Sequence, residues 1–174
     1  KQWKIENREI SFFSPLSDEP PSNNADGIFL PGGYPELFSE KLSNNHIFKK
    51  GMEDADSRDK AIYGECGGYM VLGKSIINKM GEEHNMLNML NLVTSFKDPK
   101  LHLGYRRVQL ISDFALGIKN NYHRGHEFHY SNIVVEEGSP LFSVCNNDNL
   151  KTENIGLISK NVMGSFVHLI DKES

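Results

Sequence analysis

Apolar residues in this chain fall into short blocks whose period changes from one block to the next. Trp3 and Ile5 among charges over residues 1–9 suit the tail of an amphipathic helix, and residues 10–14 (Ile-Ser-Phe-Phe-Ser) suit a short strand halted by Pro15. Residues 14–21 are a proline-punctuated loop. Gly27-Ile-Phe-Leu30 is a compact apolar run of the kind found in a strand buried on both faces, and Pro31-Gly32-Gly33-Tyr34-Pro35 breaks it. Leu37, Phe38 and Leu42, then Ile47, Phe48, Met52 and Ala55, have helical spacing. They predict helices over 36–44 and 46–58, with Ser43-Asn44-Asn45 as stop and restart. A second apolar run over 61–65 enters Gly64-Glu65-Cys66-Gly67-Gly68, after which Tyr69, Met70, Val71 and Leu72 can cover one side of a helix.

The second half alternates more than it repeats. Residues 78–91 are polar with scattered Met and Leu and read as irregular. Residues 102–111 and 126–135 each alternate enough for a strand, 141–145 and 155–159 are shorter candidates, 164–168 closes the ordered part, and 171–174 is a polar tail. Strand, helix and strand in succession imply a parallel sheet with right-handed crossovers, where ligand chemistry gathers at the carboxyl ends of the strands.

Composition narrows the class. At 174 residues one well-buried domain is expected, spanning 1–174. A net charge of -4 without a basic cluster argues against a nucleic-acid surface. Two cysteines, Cys66 and Cys145, cannot make a disulfide framework, which points to a reducing cytoplasm. No apolar run approaches membrane-spanning length, and no signal peptide is visible. The chain starts at Lys1 without Met, so a fragment is expected.

The chemistry centres on Cys66. G-x-C-x-G is the cysteine form of the nucleophile elbow, in which flanking glycines let backbone segments pass beneath a strained nucleophile. A thiol at a helix N-terminus is expected to favour thiolate. Gly32-Gly33 follows one strand and Gly67-Gly68 another, so N–H groups from both turns could meet at one oxygen, as in an oxyanion hole. A base must come from elsewhere in the chain. His168, at the end of a late apolar segment, and His126 are close rivals on pattern alone. His46, His84, His102 and His123 lie in or near polar stretches and read as surface or hydrogen-bonding residues. His126 and His129 are three apart on a strand and point to opposite faces, which is the wrong spacing for a zinc H-E-x-x-H helix, so no metal is expected.

Several motifs carry a family resemblance. They are Ser14-Pro-Leu-Ser-Asp-Glu, Leu30-Pro-Gly-Gly-Tyr-Pro-Glu36, Gly64-Glu-Cys-Gly-Gly68, Leu103-Gly-Tyr-Arg106, Arg124-Gly-His-Glu-Phe-His-Tyr-Ser131 and Ser165-Phe-Val-His168. From Phe13 to His168 the chain resembles the C-terminal glutaminase domain of cobyrinate a,c-diamide synthases, within the class I glutamine amidotransferase superfamily. Glu65 and the Gly-His-Glu-Phe-His-Tyr-Ser run are the more specific marks. The resemblance implies a flavodoxin-like α/β three-layer sandwich with a mostly parallel sheet, here without the family's first strand. It further implies Cys66 as nucleophile, His168 as general base and the Gly33 and Gly67 N–H groups as oxyanion donors. Glu127 is expected to support the structure rather than the chemistry.

Glutamine is the implied substrate and ammonia the product. The implied partner is an ATP-dependent synthetase domain that amidates the a and c acetate side chains of a tetrapyrrole. ATP and Mg are expected on that domain alone, since this sequence holds no P-loop, and a homodimer is admitted. Many superfamily members carry His-x-Glu, whereas here Leu169 and Ile170 follow His168, leaving the orienting partner unnamed. Two other readings stay open: the same glutaminase role in nickel-sirohydrochlorin a,c-diamide synthesis, and a non-catalytic amidotransferase-like binding module.

Overall fold

The structure, a computed structural model, describes residues 9–145 and 150–173. The helix tail expected over 1–9 therefore lies outside the described residues, Glu9 apart. Residues 10–14 form no strand, because no neighbour pairs with them. Instead Phe13 packs on Phe48 with ring centroids 6.3 Å apart, and Phe12 is exposed.

Strand β1 (Gly27–Leu30) leads through a 3-10 turn at Pro35–Phe38 into helix α1 (Ser39–Ser43), then α2 (Ile47–Ser57). Phe48, Met52 and Ala55 place the buried stripe of α2 at helical spacing. The start of α2 is capped from a distance. Asp18 accepts from the Phe48 N–H at 2.8 Å and the His46 N–H at 3.3 Å, and the Phe48 N–H draws its carboxyl below the ordinary value. Strand β2 (Ala61–Glu65) then turns through Cys66 into helix α3 (Gly67–Leu72). The start of α3 crosses the end of β1 so closely that a Cβ on Gly68 would lie 2.0 Å from the Leu30 carbonyl oxygen. Only glycine fits there.

The remaining strands are β3 (Ser75–Ile77), β4 (Glu83–Asn85), β5 (Leu92–Ser95), β6 (His102–Leu110), β7 (Tyr122–His129), β8 (Asn132–Glu136), β9 (Ser139–Cys145), β10 (Lys151–Ser159), β11 (Val162–Ser165) and β12 (Val167–Lys172). Eight strands form one sheet in the order β1-β2-β11-β10-β9-β6-β7-β12, and β4-β3-β5-β8 form a second. The molecule is α/β, as expected, but the parallel part of the large sheet is confined to β1-β2-β11. The pairings from β11 outward to β12 are antiparallel. Among the described residues the consecutive strands β6 and β7, β9 and β10, and β10 and β11 pair antiparallel, while the second sheet holds one further parallel pair, β3 with β5.

Three further expectations change. Residues 78–91 contain β4, and β3 and β5 flank them. The single strand expected over 126–135 is two strands of different sheets, β7 and β8; at the break between them the His129 ring meets both the carbonyl and the hydroxyl of Ser131 at 3.1 Å. The tail at 171–174 is still paired as far as Lys172, opposite His123.

One core joins Ile28, Leu30 and Ile62 of the large sheet to α2, α3 and the second sheet. Another, around Val108, Leu110, Phe142 and Val167, lies under the antiparallel part. None of the helices among the described residues is long and apolar enough to cross a membrane.

Candidate active site

Cys66 occupies the corner between β2 and α3 with φ 50° and ψ -104°. L-residues seldom adopt such a conformation, and it persists only where the surroundings over-determine it. Here they do: the Cys66 N–H donates to the Ser165 carbonyl at 2.9 Å, and its carbonyl accepts from the Met70 N–H at 3.0 Å. The side chain is buried, and the thiol donates to the Phe128 carbonyl at 3.7 Å.

The two glycine turns meet beside it. A Cβ on Gly67 would lie 2.6 Å from the Gly33 nitrogen and 2.8 Å from its oxygen, so the two residues expected to supply oxyanion donors are in backbone contact. A Cβ on Gly32 would lie 2.5 Å from Cε1 of His168, so the imidazole rests against the same loop. Gly67, next to Cys66 in the chain, thus touches Gly33, and His168 rests on the adjoining Gly32. His168 and His126, close rivals on pattern, are neighbours in space. They are opposed across β12 and β7, and their rings stack 4.8 Å apart, 10° from parallel.

The charges around the thiol overturn one expectation. Burial pushes the Cys66 thiol up to about 11; the Gly67 N–H draws it down, and Glu36, Glu65 and Glu127 push it up again. Desolvation and three carboxylates outweigh the helix terminus, so the resting group is a thiol rather than the expected thiolate. His168 shifts the other way. Burial first, then electrostatic repulsion involving His126 and His129, holds it below the ordinary histidine value, leaving a neutral imidazole at neutral pH.

Glu65, the last residue of β2, reaches towards β12. Its Oε1 accepts from the Tyr63 hydroxyl and the Leu169 N–H, each at 3.1 Å, while Oε2 lies 3.8 Å from Nδ1 of His168. Burial raises its carboxyl, against the pull of the Leu169 N–H, the Tyr63 hydroxyl and His126. The sequence singled out Glu65 as a family mark but gave no sign of this contact, which links residues 104 apart.

Behind Phe128, on the other face of β7, lies a charge network. Glu127 Oε2 accepts from the Arg106 guanidinium at 2.7 and 2.8 Å, and its Oε1 lies 2.9 Å from His129 Nε2. His129 stacks on His102 at 4.6 Å and on Phe166 at 3.9 Å. His129 first, then Arg106, holds the Glu127 carboxyl below its ordinary value. One ligand atom from each of His102, Glu127 and His129 falls within 4.8 Å of the others. Both Glu127 oxygens are engaged, however, and the Arg106 guanidinium already supplies the positive charge, so the cluster fits a structural ion network better than a metal site. His102 and His123, read as surface or hydrogen-bonding residues, are half-buried and buried respectively, each with an Nε2 that has no hydrogen-bond partner among the described residues.

The fold is that of the glutamine amidotransferases. One solved glutamine amidotransferase superposes with a TM-score of 0.61 at 16% identity, covering 95% of this chain and 80% of that one. A second, from Thermotoga maritima, gives 0.57 at 16% identity, covering 96% and 67%. The sequence narrows the class: the profile of the CobB/CobQ-like glutamine amidotransferase domain matches residues 3–174, and this chain belongs to that family. It is 47% identical over 171 residues to a hydrogenobyrinate a,c-diamide synthase of Rhizobium meliloti, and 39% identical over 168 residues to one of Rhodobacter capsulatus. These alignments take in 97% of this chain but 39% and 38% of those proteins, so the chain spans under two-fifths of the curated relatives it matches.

Proposed function

We propose that this domain hydrolyses glutamine at Cys66 and passes the ammonia to an ATP-dependent synthetase portion of a longer protein. The observation that carries this reading is the contact of Gly67 with Gly33 and of His168 with Gly32, around a cysteine held at φ 50°. A binding module has no need of a strained thiol, two apposed glycine turns and a neutral imidazole in one place, which weighs against the non-catalytic alternative.

The mechanism follows from the charges. Because Cys66 rests as a thiol and His168 as a neutral imidazole, the proton moves only when substrate arrives. His168 takes it as sulfur attacks the side-chain amide carbon, and the Gly33 and Gly67 N–H groups hold the tetrahedral oxyanion. His168 then protonates the departing ammonia, and water hydrolyses the glutamyl thioester. The likeness to hydrogenobyrinate a,c-diamide synthases favours a corrinoid dicarboxylate as the acceptor over nickel-sirohydrochlorin. ATP and Mg would act on the synthetase portion.

The test separates nitrogen sources in the full-length protein. Cys66→Ala and His168→Ala should each abolish amide formation from glutamine and leave formation from ammonium salt largely intact, because base and nucleophile serve one step. A folded Cys66→Ala protein that loses both activities would refute a glutaminase-only role for this residue.

A further inference from the structure

We propose that Glu65 is the positioning residue for His168: its carboxylate takes the Nδ1–H of the imidazole and leaves Nε2 as the basic nitrogen. This rests on the glutaminase reading above. A neutral imidazole can accept a proton only at the nitrogen without hydrogen, so a catalytic base needs a partner that fixes its tautomer and its plane. The residues that follow His168 in the chain supply none, since Leu169 and Ile170 have no acceptor side chain.

The partner comes from the elbow itself. Two donors clamp Glu65 Oε1, and one of them is the N–H of Leu169, the residue next to His168 on β12. With Oε1 tied down, Oε2 points at the imidazole, 3.8 Å from Nδ1. That separation is about 1 Å beyond a charge-assisted hydrogen bond, a gap of the size that closes when a substrate tightens a catalytic site. The carboxylate side chain is 11% exposed, so little water competes for the proton it faces. Glu65 also precedes Cys66 directly. One turn therefore carries both the nucleophile and the group that aims the base, and β12 brings only the ring.

Glu65→Gln distinguishes aiming from simple support. The glutamine carbonyl would stay on the Leu169 N–H and the Tyr63 hydroxyl, turning its NH2 donor towards Nδ1 and forcing the hydrogen onto Nε2. In the full-length protein the variant should melt like the wild type and use ammonium equally well. Its glutamine-dependent rate should fall by roughly 10²- to 10⁴-fold, the upper figure being the cost of a wrong tautomer in the serine-protease template. Ring-¹⁵N NMR should place the His168 hydrogen on Nδ1 in the wild type and on Nε2 in the variant. Wild-type glutamine use by Glu65→Gln, or a wild-type His168 carrying its hydrogen on Nε2, would overturn the proposal. The tautomer of the wild-type protein decides the matter even if the variant fails to fold. A wild-type protein that uses ammonium but not glutamine would instead overturn the glutaminase reading beneath it.

Discussion

Cys66 is placed by consecutive elements of the chain and braced by Ser165 and the loop after β1, whereas His168 is held almost wholly by segments far from it in sequence. At the cysteine, a parallel strand, a strained corner and a helix follow one another over residues 61–72, and glycine contacts with the loop after β1 complete the turn. At the histidine, β12 pairs antiparallel with β7, His126 stacks on the ring, and Glu65 accepts from the next backbone N–H. A locally built corner tolerates almost no change, while a group held by several distant partners can lose one of them and keep the rest.

The largest effect expected from this difference concerns the thiol. Alkylation of Cys66 in the absence of glutamine should accelerate about tenfold per pH unit from neutrality towards its value of about 11, because only the thiolate reacts. A rate already at its plateau near pH 7 would mean that the corner outweighs burial and the surrounding carboxylates.

Two glycine substitutions set the halves against each other. In Gly67→Ala the new methyl meets the backbone of Gly33, which cannot yield without separating the two proposed oxyanion donors, so glutamine turnover should fall about 10²- to 10³-fold. In Gly32→Ala it meets the imidazole of His168, a side chain that can rotate, so the loss should be smaller, on the order of 10-fold, with little change in melting temperature. Steady-state kinetics with glutamine and with ammonium check both. Equal losses would erase the distinction between the Cys66 corner and the His168 strand.

The same distinction explains what could be read from the sequence. Gly64-Glu65-Cys66-Gly67-Gly68 announces its geometry because the glycines, the strand and the helix adjoin it, and the Pro-Gly-Gly turn falls at the matching end of the neighbouring strand. The thiol's protonation state was not legible, since its burial, and then the approach of Glu36 and Glu127, arise only through the fold. Nor could alternation reveal that His126 and His168 share a face, because the register of β7 with β12 joins residues 42 apart. Residues 10–14 read as a short strand but pair with none among the described residues, and Phe13 packs on Phe48 of α2 instead. The break between β7 and β8, where the His129 ring sits against Ser131, leaves no mark in the alternation of 126–135.

The smallest effect is expected behind the site. Glu127→Gln weakens the ties to Arg106 and His129 and should cost about 1–3 kcal/mol of stability at neutral pH while changing glutamine turnover only a few-fold. The folded Glu127 carboxyl lies below its ordinary 4.5, so its contribution is present above that value and lost as pH falls through the depressed folded one. The stability gap between wild type and variant, followed by urea unfolding, should therefore narrow below pH 4.5. A gap that stays constant into acid would show that the carboxyl is not held by these partners. A loss of turnover as deep as that of Cys66→Ala would place Glu127 in the chemistry.

The central claim is that Cys66 attacks the side-chain carbonyl carbon of glutamine with His168 as its base. A diazoketone analogue of glutamine, incubated with the full-length protein and followed by peptide mass spectrometry, tests this directly. A single adduct is expected on the peptide containing Cys66, blocked by excess glutamine and formed far more slowly in His168→Ala. An adduct elsewhere, or none at all in a protein that still forms amides from ammonium, would contradict it.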